Sequence, residues 1–427
     1  MTAVEDNIIV LYEGLDQSKF VIATYLLQGP EAEDMLSRMI SIAMEQTVGS
    51  SSYQIEGLRH LCDLYGGKLV GFFSVPDHES RSSQFGNKWK SYVVRIAYPV
   101  ENTGYQIPML LTMAIGDISL GGMIKLLDLD LPTSFVDSFQ GPKFGLDGIR
   151  EMLGGVKRSL VCTILKPCIG VDSKTAGEIF YLHAVGGADM IKDDELMVYL
   201  DDEKIEDRVR ACISAEKRAF DETGEHTIYW VSITDTPMRM IEKAKRAIEA
   251  GANGLMLTPL TTGLSSMQML AEDKDIVVPL FGHPAMLGAM SWSPDYGVSE
   301  HVLQGKLLRL AGADMNAIPV PYGRFTHLRE QFLRLFNIAK SPMRNIKPML
   351  TQSGGGLNPI NAKNVLEDLG NDIVLVAGGS IQKHPRGLTA GIRAFRQAIE
   401  IYNNKLSQEE AKEKYVEYAE ALHLWGN

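Results

Sequence analysis

The sequence predicts an α/β protein. An N-terminal α+β domain of ferredoxin-like type spans residues 1–138, and a (β/α)8 TIM barrel with C-terminal helices spans 139–427. Three observations carry that expectation. A chain of 427 residues is too long for one ordinary core, so two domains are the default. From about residue 140, eight near-continuous apolar runs alternate with helical patterns, as strands buried on both faces do. The C-terminal ends of those runs collect polar and glycine residues, where barrels of this kind build their sites.

In the first part, EAEDMLSRMISIAMEQT spaces Met35, Ile40, Ile42 and Met44 as a helix does. KSYVVRIAYPV, β-branched and aromatic and stopped by Pro99, reads as a strand. IPMLLTMAIGD adds a short helix and MIKLLDLDLP another strand. The later runs begin with LVCTILKP (160–167), GADMIKDDE (187–195), HTIYWVSITD (226–235) and GANGLMLTPL (251–260). They continue with IVVPLFGHP (276–284), GADMNAIPVP (312–321), IKPMLTQSGGG (346–356) and DIVLVAGGS (372–380). Between them, TPMRMIEKAKRAIEAGA and LQGKLLRLAGA read as helices, each closed by a glycine where a C-cap is expected. A doubly wound sheet would also alternate, but eight units in about 240 residues fit closure better.

Composition narrows the function classes. A hydrophobic content of 45% and a charged content of 22% describe a globular chain. The net charge of -11 argues against general affinity for nucleic acid or an anionic membrane, so local cations must recruit any anionic ligand. No apolar run approaches the roughly 20 residues needed to span a bilayer. The start, MTAVEDNIIVLYEG, is acidic and lacks a signal peptide's basic and apolar regions, so a cytoplasmic location is expected. Cys62, Cys162, Cys168 and Cys212 show no CxxC spacing and read as reduced thiols, Cys168 as a core or rim thiol more than a nucleophile.

The segment 192–195 sets Lys192, Asp193, Asp194 and Glu195 in a row at the end of an apolar strand. Asp194 and Glu195 offer hard oxygen ligands that suit Mg²⁺. An ammonium cannot ligate a cation, which leaves two readings of Lys192. Either it pairs with the carboxylates, or it reacts with CO2 to give a carbamate and becomes an anionic ligand itself. His283, at the end of the fifth run, is a polar rim residue or a contact for a substrate hydroxyl or phosphate. SGGG (353–356) and AGGS (377–380) place glycine amides at the seventh and eighth strand ends, where barrels commonly bind phosphate. The second leads into Lys383, His384 and Arg386, and together these residues read as a phosphate cradle.

GPKFGLDGIREMLG (141–154), TILKPCIG (163–170), GGADMIKDDE (186–195) and the paired glycines resemble the RuBisCO superfamily over nearly the whole chain. The resemblance implies that Lys192 is the carbamylated lysine, with Asp194 and Glu195 as Mg²⁺ ligands. It makes Lys166 the active-site lysine after the first barrel strand and His283 the histidine after the fifth. It makes Ser353, Gly354, Gly355, Gly378 and Gly379 phosphate- and substrate-binding positions. A homodimer or higher homo-oligomer is implied too, with Glu45 and Thr47 of MEQTVGSSSY completing the site from a second subunit.

Departures from the carboxylases matter as much. The region after the sixth strand, IPVPYGRFTHLRE, lacks their mobile-loop lysine; Cys168 replaces a second lysine, and Pro284 an arginine. This resembles a RuBisCO-like protein and not a carboxylase. GHPAMLGAMS, GKLLRLAGADMNAIPVPYG and HLWGN resemble the methionine-salvage enolases that act on 2,3-diketo-5-methylthiopentyl-1-phosphate. Against that group, Arg95 stands where a proposed basic lysine is expected, and Ser380 replaces the last glycine of a trio. Arginine stays protonated and is a poor base, though a good phosphate clamp. The implied chemistry is Mg²⁺-assisted proton abstraction next to a carbonyl of a phosphorylated substrate. The rivals are an isomerase or decarboxylase of another phosphorylated sugar or sugar acid, a metal-free Schiff-base aldolase using Lys166, and a non-catalytic relative.

Overall fold

The structure, a computed structural model, describes residues 8–49, 52, 55, 57–75, 89–199, 204–325 and 327–426. Residues 1–7 of the acidic start, Ser50, Ser51 and Tyr53 of MEQTVGSSSY, Thr326 and Asn427 lie outside the described residues. The chain divides into two compact units, Met1–Phe139 with Met286–Leu303, and Gln140–Ala285 with Gln304–Asn427.

The first unit is built on a five-stranded mixed sheet in the order β10-β4-β1-β3-β2. Its strands are β1 (Phe20–Pro30), β2 (Lys68–Ser74), β3 (Trp89–Pro99), β4 (Ile124–Asp130) and β10 (Gly297–Val298). Pairing is antiparallel except between β10 and β4. The helices Met35–Glu45 and Ile107–Ile115 fall where apolar spacing places them; Met35, Met39, Ile42 and Ala43 form the buried stripe of the first. No motif singled out the central strand β1, although Val21, Ala23, Tyr25 and Leu27 alternate inward along it. Residues 286–303, expected within the barrel domain, belong to this unit because Gly297–Val298 pairs with Lys125–Leu126 of β4.

The second unit is the closed barrel. Its parallel strands are β5 (Leu160–Ile164), β6 (Met190–Lys192), β7 (Ile228–Ser232), β8 (Gly254–Leu257), β9 (Leu280–Gly282), β11 (Met315–Pro319), β12 (Leu350–Gly354) and β13 (Ile373–Ala377). β13 pairs with β5 and β9 with β11, which closes the ring. All eight expected strands are present in the expected order. Leu160, Cys162, Met190, Ile228, Trp230, Met256, Phe281, Met315, Leu350 and Val374 pack together inside, so the interior is a core and not a channel.

The helix Pro237–Glu249 ends at Ala250 and Gly251, whose φ of +104° is the backbone that a glycine after a C-cap supplies. LQGKLLRLAGA departs from simple α winding: π-type turns over His301–Leu307 precede Leu308–Leu310. There the Asn316 side chain donates to the Gln304 carbonyl at 3.0 Å. Among the described residues no helix is long and apolar enough to cross a membrane.

Candidate active site at the barrel mouth

Two sectors of the strand ends carry chemistry. The first lies at β5, β6 and β9. Lys166 follows β5, and its Nζ donates to Asp194 Oδ2 at 2.5 Å and lies 2.9 Å from Cys168 Sγ. Lys192 ends β6 with 2% of its surface exposed, and its Nζ donates to Glu195 Oε2 at 2.9 Å and to the Asp193 carbonyl at 3.0 Å. His283 follows β9, with Nε2 3.4 Å from Glu195 Oε2 and a buried, unpartnered Nδ1.

The four ionisable neighbours Lys192, Asp193, Asp194 and Glu195 do not do the same work. Asp193 is fully buried and belongs to the scaffold. It accepts from Arg208 Nε (3.1 Å), Tyr229 Oη (3.0 Å) and the Ser232 amide (3.1 Å), which uses its acceptor capacity. Asp194 turns the other way, towards Lys166, and accepts from the Leu196 amide at 3.0 Å. Sequence reasoning grouped the row as one charge cluster and missed Arg208, which lies on the helix Ile205–Thr223 and is placed by the fold alone.

The electrostatics follow from burial and pairing. Burial disfavours the Glu195 carboxylate, but Lys192 and His283 outweigh it and hold its pKa at about 2. Burial, with Lys192 nearby, pushes His283 down to about 4, so its imidazole is neutral at neutral pH. Lys166 is partly desolvated, yet its contacts with Asp194 and Cys168 raise its pKa. In this arrangement Lys166 is a cation. It becomes a base only when Asp194 is drawn elsewhere.

Among the described residues no three Asp, Glu, His or Cys side chains gather as a ready metal-binding group. The donor set at β6 is the carboxylates of Asp194 and Glu195, the second already bonded to the Lys192 amine. That set would fit a hard divalent cation once Lys192 is carbamylated, because a carbamate would then replace an amine that repels the ion and bring the anionic oxygen donors to three.

The second sector lies at β12 and β13. A cavity of about 410 Å³ is lined there by Gly355, Gly356, Gly378 and Gly379, and it extends to Lys166, Asp194 and Glu195. A Cβ on Gly379 would meet nothing within 4 Å and one on Gly378 only Ile164 Cδ1 at 3.4 Å, so packing does not demand glycine at either position. Gly354 differs: a Cβ there would meet Val376 Cγ1 at 2.2 Å, so close strand packing requires its glycine. Ser353 is fully buried with an unpartnered Oγ, and neither it nor Gly354 lines the cavity. Of the cations after β13, Lys383 lines the cavity. His384 is buried and donates to the Glu417 carbonyl at 3.0 Å, and Arg386 lies 3.7 Å from Glu417. Arg324 and Trp425 also line the cavity; they stand in IPVPYGRFTHLRE and HLWGN, but the sequence reading gave neither a site role.

The remaining expected site residues belong to the first unit. Glu45 ends the helix Met35–Glu45, accepts from Ser41 Oγ at 3.0 Å and lines a separate cavity of about 450 Å³ with Arg38 and Asp117. Thr47 Oγ1 donates to the Ala43 carbonyl at 2.8 Å and accepts from the Gly67 amide at 3.1 Å. Arg95, on β3, donates to Asp130 at 3.1 Å and lies 4.2 Å over the Tyr12 ring. Partial burial disfavours its charge, but Tyr12 and Asp130 more than compensate, so Arg95 is a firmly held cation.

Fold and site together define a (β/α)8-barrel protein with a buried lysine–carboxylate cluster beside a glycine-lined cavity. The chain belongs to the ribulose bisphosphate carboxylase (RuBisCO) large-chain family, whose catalytic-domain profile matches residues 145–425. It is 38% identical over 396 residues, 93% of this chain and 90% of the relative, to a ribulose bisphosphate carboxylase-like protein of Archaeoglobus fulgidus. It is 36% identical over 411 residues, 95% of this chain and 98% of the relative, to 2,3-diketo-5-methylthiopentyl-1-phosphate enolase of Geobacillus thermodenitrificans. The crystal structure of a RuBisCO-like protein from Alicyclobacillus acidocaldarius superposes with a TM-score of 0.87 at 33% identity, covering 96% of this chain and all of that one. The family resemblance read from the motifs is borne out.

Proposed function

We propose that the barrel mouth abstracts a proton next to a carbonyl of a phosphorylated keto compound, a keto–enol isomerisation. The first substrate to test is 2,3-diketo-5-methylthiopentyl-1-phosphate, the compound in the name of the Geobacillus relative. One observation carries this reading: a single cavity joins Lys166, Asp194 and Glu195 to Gly378 and Gly379, whose lack of side chains no packing contact explains.

In this reading carbamylated Lys192, Asp194 and Glu195 hold Mg²⁺. When bound, the ion supplies positive charge beside the oxygen on which negative charge develops. Lys166, once released from Asp194, and modified Lys192 are the groups placed to move the proton. Neutral His283 holds a substrate hydroxyl. The glycines fix the phosphate, and that remote binding energy aligns the reacting carbons. Carboxylation is not part of the reading, because the proline-rich segment after β11, IPVPYGRFTHLRE, has no lysine where carboxylases carry one on a mobile loop, and Cys168 and Pro284 replace two further cations. A second subunit contributes Glu45 and Thr47, making a cytoplasmic homodimer the smallest complete enzyme.

Arg95 favours a second reading, in which the same enolate serves another phosphorylated sugar or sugar acid. Its ion pair with Asp130 and its place over Tyr12 leave it unable to act as the base a lysine could be.

The test is deuterium exchange followed by proton NMR after preincubation with Mg²⁺ and bicarbonate, on the diketone phosphate and a panel of phosphorylated ketoses in D2O. Exchange on the diketone phosphate that vanishes with EDTA and with Lys192→Ala is expected. Exchange on a ketose alone would move the assignment to the second reading, and none on any compound would remove the diketone phosphate and the ketoses as substrates and leave a sugar acid or a non-catalytic role.

A further inference from the structure

Another cavity lies among the C-terminal helices. It holds about 620 Å³ between Ala362–Leu369, Gly387–Asn404 and Val416–Trp425, a volume that suits a small organic ligand. Ile360, Ala398, Ile401, Leu406 and Leu422 give it apolar walls. One polar group among them stands out. Tyr418 is 9% exposed and lines the cavity, yet its hydroxyl has no hydrogen-bond partner among the described residues; only its amide is used, donating to Gln397 Oε1 at 2.8 Å. Buried tyrosine hydroxyls ordinarily find a partner, as nearby Tyr415 does in donating to Glu400 Oε2 at 2.7 Å. Burial alone raises the Tyr418 pKa, so the hydroxyl keeps its proton and is a donor to spare.

Charge at the rim is lopsided. Lys363 lies 3.5 Å from Glu367, and those two offset each other. Lys405 also lines the cavity and has no ion pair among the described residues. It holds a left-handed backbone, φ +53°, at the end of the helix Gly387–Asn404, where glycine is the usual residue.

We infer that this cavity binds an amphipathic monocarboxylate, its apolar body against the five apolar side chains and its carboxylate held by Tyr418 Oη and Lys405. One unpaired cation and one spare donor suit a single carboxylate, and a chain that carries -11 overall needs such a local cation to attract an anion. The site is also placed to act on the barrel mouth. Leu357 and Asn358 line the mouth cavity, while the next two residues, Pro359 and Ile360, line this one. Trp425 lines the first and Gly426 the second. A ligand packed against Ile360 and Leu422 therefore bears on two stretches of chain that wall the mouth, which makes it an effector.

Octanoate is the probe, titrated into full-length protein and followed by calorimetry. Trp425 emission, taken as the difference between wild type and Trp425→Phe, reports at the mouth. Saturable binding with a change in that emission is expected. Butanoate, which lacks much of the apolar body, should bind roughly a hundredfold more weakly. Tyr418→Phe should weaken octanoate binding about tenfold with an unchanged unfolding midpoint, because the lost hydroxyl bonds nothing in the protein; Lys405→Gln should weaken it about threefold. Lys383→Gln, at the mouth, should leave it unchanged. The site is overturned by absent or unsaturable binding, by wild-type affinity in Tyr418→Phe or Lys405→Gln, or by weakening in Lys383→Gln, which would put octanoate in the mouth. Binding without a change in Trp425 emission keeps the site and removes its action on the mouth. None of these readouts needs a substrate, so they stand or fall apart from the enolisation.

Discussion

The two sectors of the barrel mouth solve opposite electrostatic problems. At β6 the charges cancel one another, Lys192 against Glu195, Lys166 against Asp194 and Arg208 against Asp193, with Lys166 and Glu195 half-buried and the rest buried. At β12 and β13 the exposed Arg324 and Lys383 lie beside bare backbone and have no ion pair among the described residues. A buried ion pair is costly to break and adds little net stability, so a ligand entering the β6 sector must rearrange existing partners. A ligand entering the glycine sector breaks no ion pair among the described residues. The contrast teaches that one barrel mouth can hold a sector whose charges are already matched and one whose cations are left for a ligand.

The sharpest way to break this comparison is Lys192→Ala. If the β6 sector is the reactive one, metal-dependent deuterium exchange should fall by roughly a thousandfold or more, while phosphate affinity in metal-free protein stays near wild type. Loss of both would show the sectors to be one unit. Asp193→Ala probes the same row of residues for a different property. Arg208 would be left buried without its carboxylate, and unfolding by denaturant should show a loss of about 3–4 kcal/mol. A stable Asp193→Ala variant that loses only activity would place Asp193 in the chemistry instead of the scaffold.

His183 separates burial from charge pairing. It lies on the helix Ser173–Ala184, fully buried, with both ring nitrogens unpartnered, and burial alone pushes its pKa down to about 4. The folded state thus holds a neutral imidazole, whereas the unfolded chain takes up a proton near 6.5. Its contribution is complete above pH 6.5 and is lost as pH falls towards 4, at most about 3 kcal/mol. His183→Leu should flatten that part of the stability profile without altering phosphate binding. An unchanged slope in the variant would assign the acid sensitivity to other groups.

Much of the barrel was legible because its strands are buried on both faces, so each reads as an apolar run with no partner needed for recognition. β1 was not legible, since its inward side chains matter only once β3 and β4 flank it. The row 192–195 showed its chemistry but not its division of labour: Asp193 and Asp194 are adjacent and identical, and only the positions of Arg208 and Lys166 distinguish them. Arg324 stayed hidden for a related reason. It stands in a proline-rich stretch with no periodicity, and the glycines that dock it lie about thirty positions further on, after another strand.

The smallest predicted effect bears on the glycines, where sequence could not tell two causes apart. Gly354 and Gly379 both sit in glycine runs at consecutive strand ends, yet one faces Val376 and the other faces open space. Gly354→Ala forces a Cβ onto Val376 Cγ1 at 2.2 Å and should cost about 1–3 kcal/mol of stability by overpacking. Gly379→Ala meets no atom within 4 Å at a position without positive φ, so its stability should stay within about 0.5 kcal/mol of wild type. Its methyl group instead occupies space left for the ligand, and phosphate should bind roughly tenfold more weakly, with KM and not kcat carrying the change. Chemical denaturation and phosphate calorimetry on the two variants separate the causes. If Gly379→Ala binds as wild type does, the backbone at 379 is not in contact with the phosphate, and the glycine sector reduces to its two cations.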